Sequence, residues 1–221
     1  MRWPFCRLFN KERESEYRNK ESPATDVQPI HAIIGLGNPG DSYRYTRHNI
    51  GFLFLDYLAE KAGATWKKER RFVAEIASYT LSGHKLILAK PNTFMNESGQ
   101  SFSKLIKYHR WRPSSALIVH DEINLPLGAM KLSNKAGIGG HNGMASIFRF
   151  DGQDALRLRL GIGHKGHSGM DLKDHVLGRF TAADLQQLRT QMGKWADSLQ
   201  LIVDNGPSSA MNFINRKDNI Q

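Results

Sequence analysis

Short apolar runs and helical stripes take turns along residues 30–214. Residues 30–35, apolar apart from His31, read as the first buried strand. Residues 49–62 then set Ile50, Leu53, Phe54, Tyr57 and Leu58 at i, i+3, i+4, i+7 and i+8, the stripe of a helix packed on a sheet. Residues 71–81 and 84–90 are β-branched or alternate apolar with polar, and Ser82-Gly83 between them is a hairpin signal. Pro91 closes that pair, and the polar stretch 93–99 leads into a helix to about Tyr108. Residues 116–120 predict a short strand ending at Asp121-Glu122, and residues 128–133 another. A glycine-rich turn at 137–143 opens a helix over 142–150. Residues 156–162 alternate Leu with Arg, which predicts a strand with one solvated face.

Residues 163–171 are rich in Gly, His and Lys and predict a mobile loop. Thr181 and Asp184 form a capping-box start for a long helix that Asn205-Gly206 is expected to stop. Strands alternating with helices, without internal repeats, predict an α/β fold: one domain with a mixed, mostly parallel sheet flanked by helices on both faces. Residues 10–29 carry charge and two prolines but no apolar period. The expected organisation is a disordered arm over 1–29, the α/β domain over 30–214, and a tail over 215–221.

Composition narrows the setting. The chain has 221 residues, enough for a sizeable core, and one cysteine, Cys6, so no internal disulfide framework is available. No apolar run approaches the roughly 20 residues of a membrane span, and the first residues lack the pattern of a secretory signal. These features predict a cytoplasmic protein with no membrane association. Lys and Arg number 31 against 21 Asp and Glu, a net charge of +10, and nearly all of that surplus lies beyond residue 30. A polyanionic partner such as nucleic acid is the expectation.

Gly35, Gly37 and Gly40 spell G-x-G-x-x-G after a strand, the fingerprint of a dinucleotide fold. Two contexts fail. Pro39 removes an amide donor inside the motif, and the helix begins only near Arg47, so no helix N-terminus faces a pyrophosphate. A different chemistry emerges from the strand ends. The strands at 31–35, 84–90 and 116–120 lead to Asn38, Asn96 and Asp121. If the three run parallel, those residues meet on one sheet edge, where α/β proteins place their ligands. His48 and Asn142 sit at loop-to-helix junctions that suit the same edge. His48 is a base near neutral pH, and Asp121 suits the role of accepting its N–H and fixing its tautomer. Asn38, Asn96 and Asn142 are neutral amides that orient a substrate or hold an oxyanion. No nucleophile elbow occurs, so a His–Asp pair points to activated water and hydrolysis of an ester-like acyl bond. The histidines lack zinc spacing, so neither metal nor cofactor is expected.

Gly-Leu-Gly-Asn-Pro-Gly (35–40), Tyr43, Thr-Arg-His-Asn (46–49), Lys-Pro-Asn-Thr-Phe-Met-Asn-Glu-Ser-Gly (90–99), His-Asp-Glu (120–122), Gly-Gly-His-Asn-Gly (139–143) and Arg-Leu-Gly-Ile-Gly-His (159–164) occur in this order. Together they closely resemble the bacterial peptidyl-tRNA hydrolases. The resemblance implies a metal-independent esterase that frees tRNA from a peptide and so recycles tRNA from stalled translation. It implies His48 as base and Asp121 as its orienter. Asn38 and Asn142 would position the peptidyl group and the water or oxyanion, with Met95 and Asn96 lining the cleft. Tyr43 would lie near the scissile end of the tRNA, and His141 is a further substrate contact. For tRNA it implies Lys131, Lys135 and Arg159, Ser133 standing where a basic residue is common, and a mobile lid over 163–175. Peptidyl-tRNA is the expected partner, the chain acting as a monomer with no obligate protein partner. An RNA-binding module that keeps this fold, and an esterase for small N-acyl esters, are the competing readings.

Overall fold

The computed structural model describes residues 29–134, 136–166 and 169–216. The expected arm, apart from Pro29, the tail beyond Arg216 and Lys135 lie outside the described residues. Seven strands form one sheet: β1 (Ala32–Gly35), β2 (Lys67–Glu69), β3 (Ala74–Leu81), β4 (His84–Pro91), β5 (Ala116–Glu122), β6 (Met130–Ser133) and β7 (Leu156–Gly161). Their order is β2-β3-β4-β1-β5-β7-β6. The four central strands β4, β1, β5 and β7 run parallel, and antiparallel strands complete both edges. The helices are α1 (Ile50–Lys61), α2 (Ser98–His109), α3 (Asn142–Phe148), α4 (Leu172–Leu177) and α5 (Ala182–Ile214).

The alternation of β1 explains the layers. Ile33 joins a core with Phe54 and Leu58 of α1 and Trp195 and Leu199 of α5. Ala32 and Ile34 point the other way, into a core with Phe102 and Leu105 of α2 and Met144 and Ile147 of α3. β1 is thus apolar on both faces, as a strand between two helical layers requires. Because β1 and β5 are paired from Ala32↔Ala116 to Gly35↔Val119, their carboxyl ends are level. That register brings the segment after Gly35 beside Asp121.

Packing explains the glycines of the misleading fingerprint. A Cβ on Gly35 would fall 2.6 Å from the Gly51 carbonyl oxygen, and one on Gly51 would fall 2.6 Å from the oxygens of Leu36 and Val119. The two glycines let the start of α1 lie directly on β1 and β5. That close approach holds His48, three residues before Gly51, over the strand ends.

Four elements differ from the expectation. Lys67–Glu69 is a polar edge strand with no apolar alternation to announce it. The Leu–Arg alternation of β7 is real, but its arginine face is solvated only in part: Arg159 is half-buried and Arg157 is buried. Arg157 is 2 % exposed, donates from Nη1 to the Gly137 carbonyl at 2.7 Å and stacks on Phe148. The lid region contains a turn of helix, α4, whose N-cap Asp171 accepts from the Lys173 amide. His175 of α4 donates from Nε2 to the Gly163 carbonyl, tying that turn to the exit of β7. Finally, Asn205-Gly206 does not end the last helix. Gly206 (φ 77°, ψ 164°) breaks the axis and Pro207 restarts it, a position where proline is tolerated because its missing N–H costs nothing.

Candidate active site

The loop after β1 is fastened by one side chain. Asn49 accepts from the Asn38 amide through Oδ1 and donates from Nδ2 to the Asn38 carbonyl, both at 2.9 Å. This two-point clamp imitates a strand pairing and sets Asn38 beside the residue before Asn49, which is His48. Asn38 Oδ1 in turn accepts from the Met95 amide at 2.8 Å. An oxygen used in that way leaves the Asn38 amide nitrogen as its free, donating end. Asn49 was not singled out from sequence as a site residue. Sequence shows only an asparagine at a helix start, which reads as a cap; in the structure its side chain makes no capping bond.

Asp121 is 5 % exposed at the end of β5. Its Oδ1 accepts from two imidazoles, His48 through Nδ1 at 2.7 Å and His141 through Nε2 at 2.9 Å. Burial by itself pushes the carboxyl up, but His141 and His48 outweigh it and hold Asp121 well below the usual carboxylate range. It is therefore an anion, as a partner for imidazole N–H groups must be. The tautomer of His141 follows from α3. His141 is that helix's N-cap, and its Nδ1 accepts the amides of Gly143 and Met144 at 3.0 and 3.2 Å. The ring proton therefore sits on Nε2 and points at Asp121. His48 spends Nδ1–H on the same oxygen and keeps Nε2 as a free base.

His120 completes the group. It donates from Nδ1 to the Asp121 carbonyl at 2.8 Å, while its Nε2 is buried without a hydrogen-bond partner among the described residues. Burial first, and then the neighbouring His141, push its imidazole down to about 3, so it is neutral.

These groups open on a cleft of about 650 Å³. Asn38, His48, Met95, Asn96, His141 and Asn142 line it, Leu172 and Val176 of α4 form another wall, and Arg157 and Arg159 line a further part. Asn96 and Asn142 are exposed, and their side chains make no hydrogen bond among the described residues. Because His141 performs the capping, the Asn142 amide is left for another partner. Met95 is a core residue that also reaches the cleft.

Other predicted site residues fall outside this group. Tyr43 does not line the cleft; it packs edge-on against Phe94, which does. Arg159 lines the cleft but is committed to Glu122, Nη1 to Oε2 at 3.0 Å. Lys131 stands opposite Arg159 in the β6–β7 register, outside the cleft, and pairs with no carboxylate among the described residues. His141, expected as a substrate contact, lines the cleft and is also a hydrogen-bond partner of Asp121.

His48, Asp121 and His141 also place three ligand-type atoms within 4.8 Å of one another. The donor chemistry favours hydrogen bonds over a cation. The two ring nitrogens nearest the carboxylate carry protons, and turning His141 to free its other nitrogen would uncap α3.

Residues 32–221 match the family model for peptidyl-tRNA hydrolase. The chain is 40% identical over 190 residues to the peptidyl-tRNA hydrolase of Trichlorobacter lovleyi, covering 86% of this chain and 97% of that protein. It is 40% identical over 188 residues to that of Akkermansia muciniphila, covering 85% and 96%. Among solved structures, the peptidyl-tRNA hydrolase from Acinetobacter baumannii superimposes with a TM-score of 0.79 at 37% identity, covering 86% of this chain and 96% of that one. The fold, the strand-end site and these likenesses agree that the chain belongs to the peptidyl-tRNA hydrolase family.

Proposed function

We propose that the chain hydrolyses the ester bond between peptide and tRNA in peptidyl-tRNA, using water activated by His48. Neutral His48 takes a proton from water at Nε2, and the oxygen attacks the ester carbonyl carbon. The imidazolium that forms is stabilised by Asp121, which also holds the ring in the tautomer the step needs. Asn38 and Asn142 offer amide N–H groups to the tetrahedral oxyanion and position the peptidyl group. Collapse of the intermediate breaks the carbon–oxygen bond to ribose, and the proton on His48 returns to the leaving oxygen. Met95 and Asn96 line the peptide's path, with His141 holding Asp121 from the other side. Tyr43 sits near the scissile end of the tRNA, while Lys131, Lys135 and Arg159 supply phosphate contacts.

The observation that carries this reading is the 2.7 Å contact from His48 Nδ1 to Asp121, which leaves the other ring nitrogen on a cleft lined by three amides. General-base work contributes ~10²–10⁴-fold and one oxyanion donor ~10²–10³-fold, so the pair accounts for much of a hydrolase's rate. The setting we infer is tRNA recycling from stalled translation in the cytoplasm, by a monomer without an obligate partner. No described helix is long and apolar enough to cross a membrane. The test is release of labelled peptide from a defined peptidyl-tRNA by wild type and His48→Ala. Release by wild type with at least ~10²-fold loss in the variant, at unchanged tRNA affinity, is expected. Protection of the substrate by wild type would identify a binding module instead.

A further inference from the structure

A second group of side chains lies away from the cleft. His31 precedes β1 and Trp111 lies five residues before β5, so both belong to the amino ends of the strands whose carboxyl ends lead to Asn38 and Asp121. Trp111 is stacked between two imidazoles, His109 at 4.2 Å and 12° and His31 at 5.0 Å and 25°. Burial, and then the neighbouring His31, lower the His109 imidazole. Tyr108 packs edge-on against His109 and Phe72, is 54% exposed, and carries the Arg71 guanidinium over its ring at 4.7 Å.

The charges that α2 and the segment after it bring to this stack are all positive. From Ser98 to His120 the chain has no Asp or Glu, while Lys104, Lys107, Arg110 and Arg112 are exposed. Lys104, Lys107 and Tyr108 fall at i, i+3 and i+4, so they share one face of α2. Among the described residues neither these four cations nor Arg71 pairs with a carboxylate. Arg110 also ends α2 in the left-handed region (φ 55°, ψ 35°), where glycine is the low-energy residue. None of these residues lines the active-site cleft.

We infer that Arg71, Lys104, Lys107, Tyr108, Arg110 and Arg112 form a second RNA-binding surface, separate from the cleft. The unpaired cations fit phosphates, and the exposed Tyr108–Arg71 pair, held rigid by the stack behind it, fits the plane of an unstacked base. The RNA is a single strand other than the substrate tRNA, because the surface lies away from the cleft and its exposed ring fits an unstacked base. Binding to this surface does not depend on hydrolysis, since deacylated tRNA has no ester to cleave.

The experiment compares the full chain with its Lys107→Glu/Arg110→Glu/Arg112→Glu variant, over a salt series. The probes are deacylated tRNA and an unstructured single-stranded RNA. The variant is expected to flatten the slope of log affinity against log salt by about two to three, since each lost phosphate contact removes ~0.7–0.9. Its kcat on peptidyl-tRNA stays at the wild-type value. An unchanged KM with weakened single-strand binding is expected, and a raised KM would assign the surface to the substrate tRNA and overturn this reading. Tyr108→Ala is expected to lose about ten-fold in affinity at every salt concentration, and Tyr108→Phe, which keeps the ring but not the hydroxyl to which Arg71 Nη1 donates at 2.6 Å, to lose less. Unchanged slopes for both probes, wild-type affinity in Tyr108→Ala, or an equal loss of binding to heparin would overturn the surface as an RNA site.

Discussion

Asp121 carries two imidazole protons on one oxygen, and each of its neighbours has a different duty. His48 keeps a free nitrogen on the cleft, His141 is locked by the start of α3, and His120 is buried beneath them. The types of these residues were legible in sequence for His48 and Asp121, because a base and a carboxylate each followed a predicted element boundary. The relation of His141 to Asp121 was not, since it depends on which ring nitrogen the helix amides occupy. His120 gives a pH signature. Its folded value near 3 lies below the ordinary histidine value of about 6.5. Above both values the ring is neutral in either state. As pH falls from about 6.5 toward 3 only the unfolded chain gains the proton, so stability is lost across that window. The slope from this group is up to about 1.4 kcal/mol per pH unit. His120→Asn is expected to flatten the acid limb of a stability-versus-pH curve by about one proton, measured by urea unfolding between pH 7 and 4 (roughly the useful range). An identical limb in variant and wild type would show that His120 titrates normally.

Elements were read most securely where one period ran unbroken. The stripe of α1 and the 81–84 hairpin were legible because each obeys a single local rule. Ser82 and Gly83 both adopt positive φ, 50° and 78°, as a two-residue hairpin turn demands. The burial of Arg157 was not legible, because the pattern Leu-Arg-Leu-Arg gives alternation without saying what covers the second face. Here the Gly137 carbonyl and the Phe148 ring meet it, both from outside β7. The kink at Gly206 has the same origin. Asn-Gly-Pro reads as a stop, yet Ala210 and Ile214 beyond it still find places in the core. Two substitutions probe these elements. Gly51→Ala must push its Cβ against two backbone oxygens at 2.6 Å, so a loss of about 1–3 kcal/mol or more is expected from the denaturant midpoint. Gly206→Ala forces a side chain into a glycine-only region, with an expected loss of about 1–3 kcal/mol. Wild-type midpoints in either would contradict the packing described.

For the whole molecule, the decisive fact is that one sheet edge gathers residues from distant parts of the chain. Asn38 follows β1, Met95 and Asn96 follow β4, Asp121 ends β5, and His141 and Asn142 open α3. Their convergence was legible once three strands were taken as parallel, which the register of β1 with β4 and β5 bears out. The surplus of positive charge was also plain, but its placement was not, since charge per residue carries no geometry. The central claim is that His48 and Asp121 act as one unit on water. A double-mutant comparison of His48→Ala, Asp121→Asn and the combined variant, by single-turnover hydrolysis of peptidyl-tRNA, tests it most directly. The account predicts that the combined variant is within about ten-fold of His48→Ala, because Asp121 works through a ring already removed. Losses that multiply, or a His48→Ala rate near that of wild type, would contradict it.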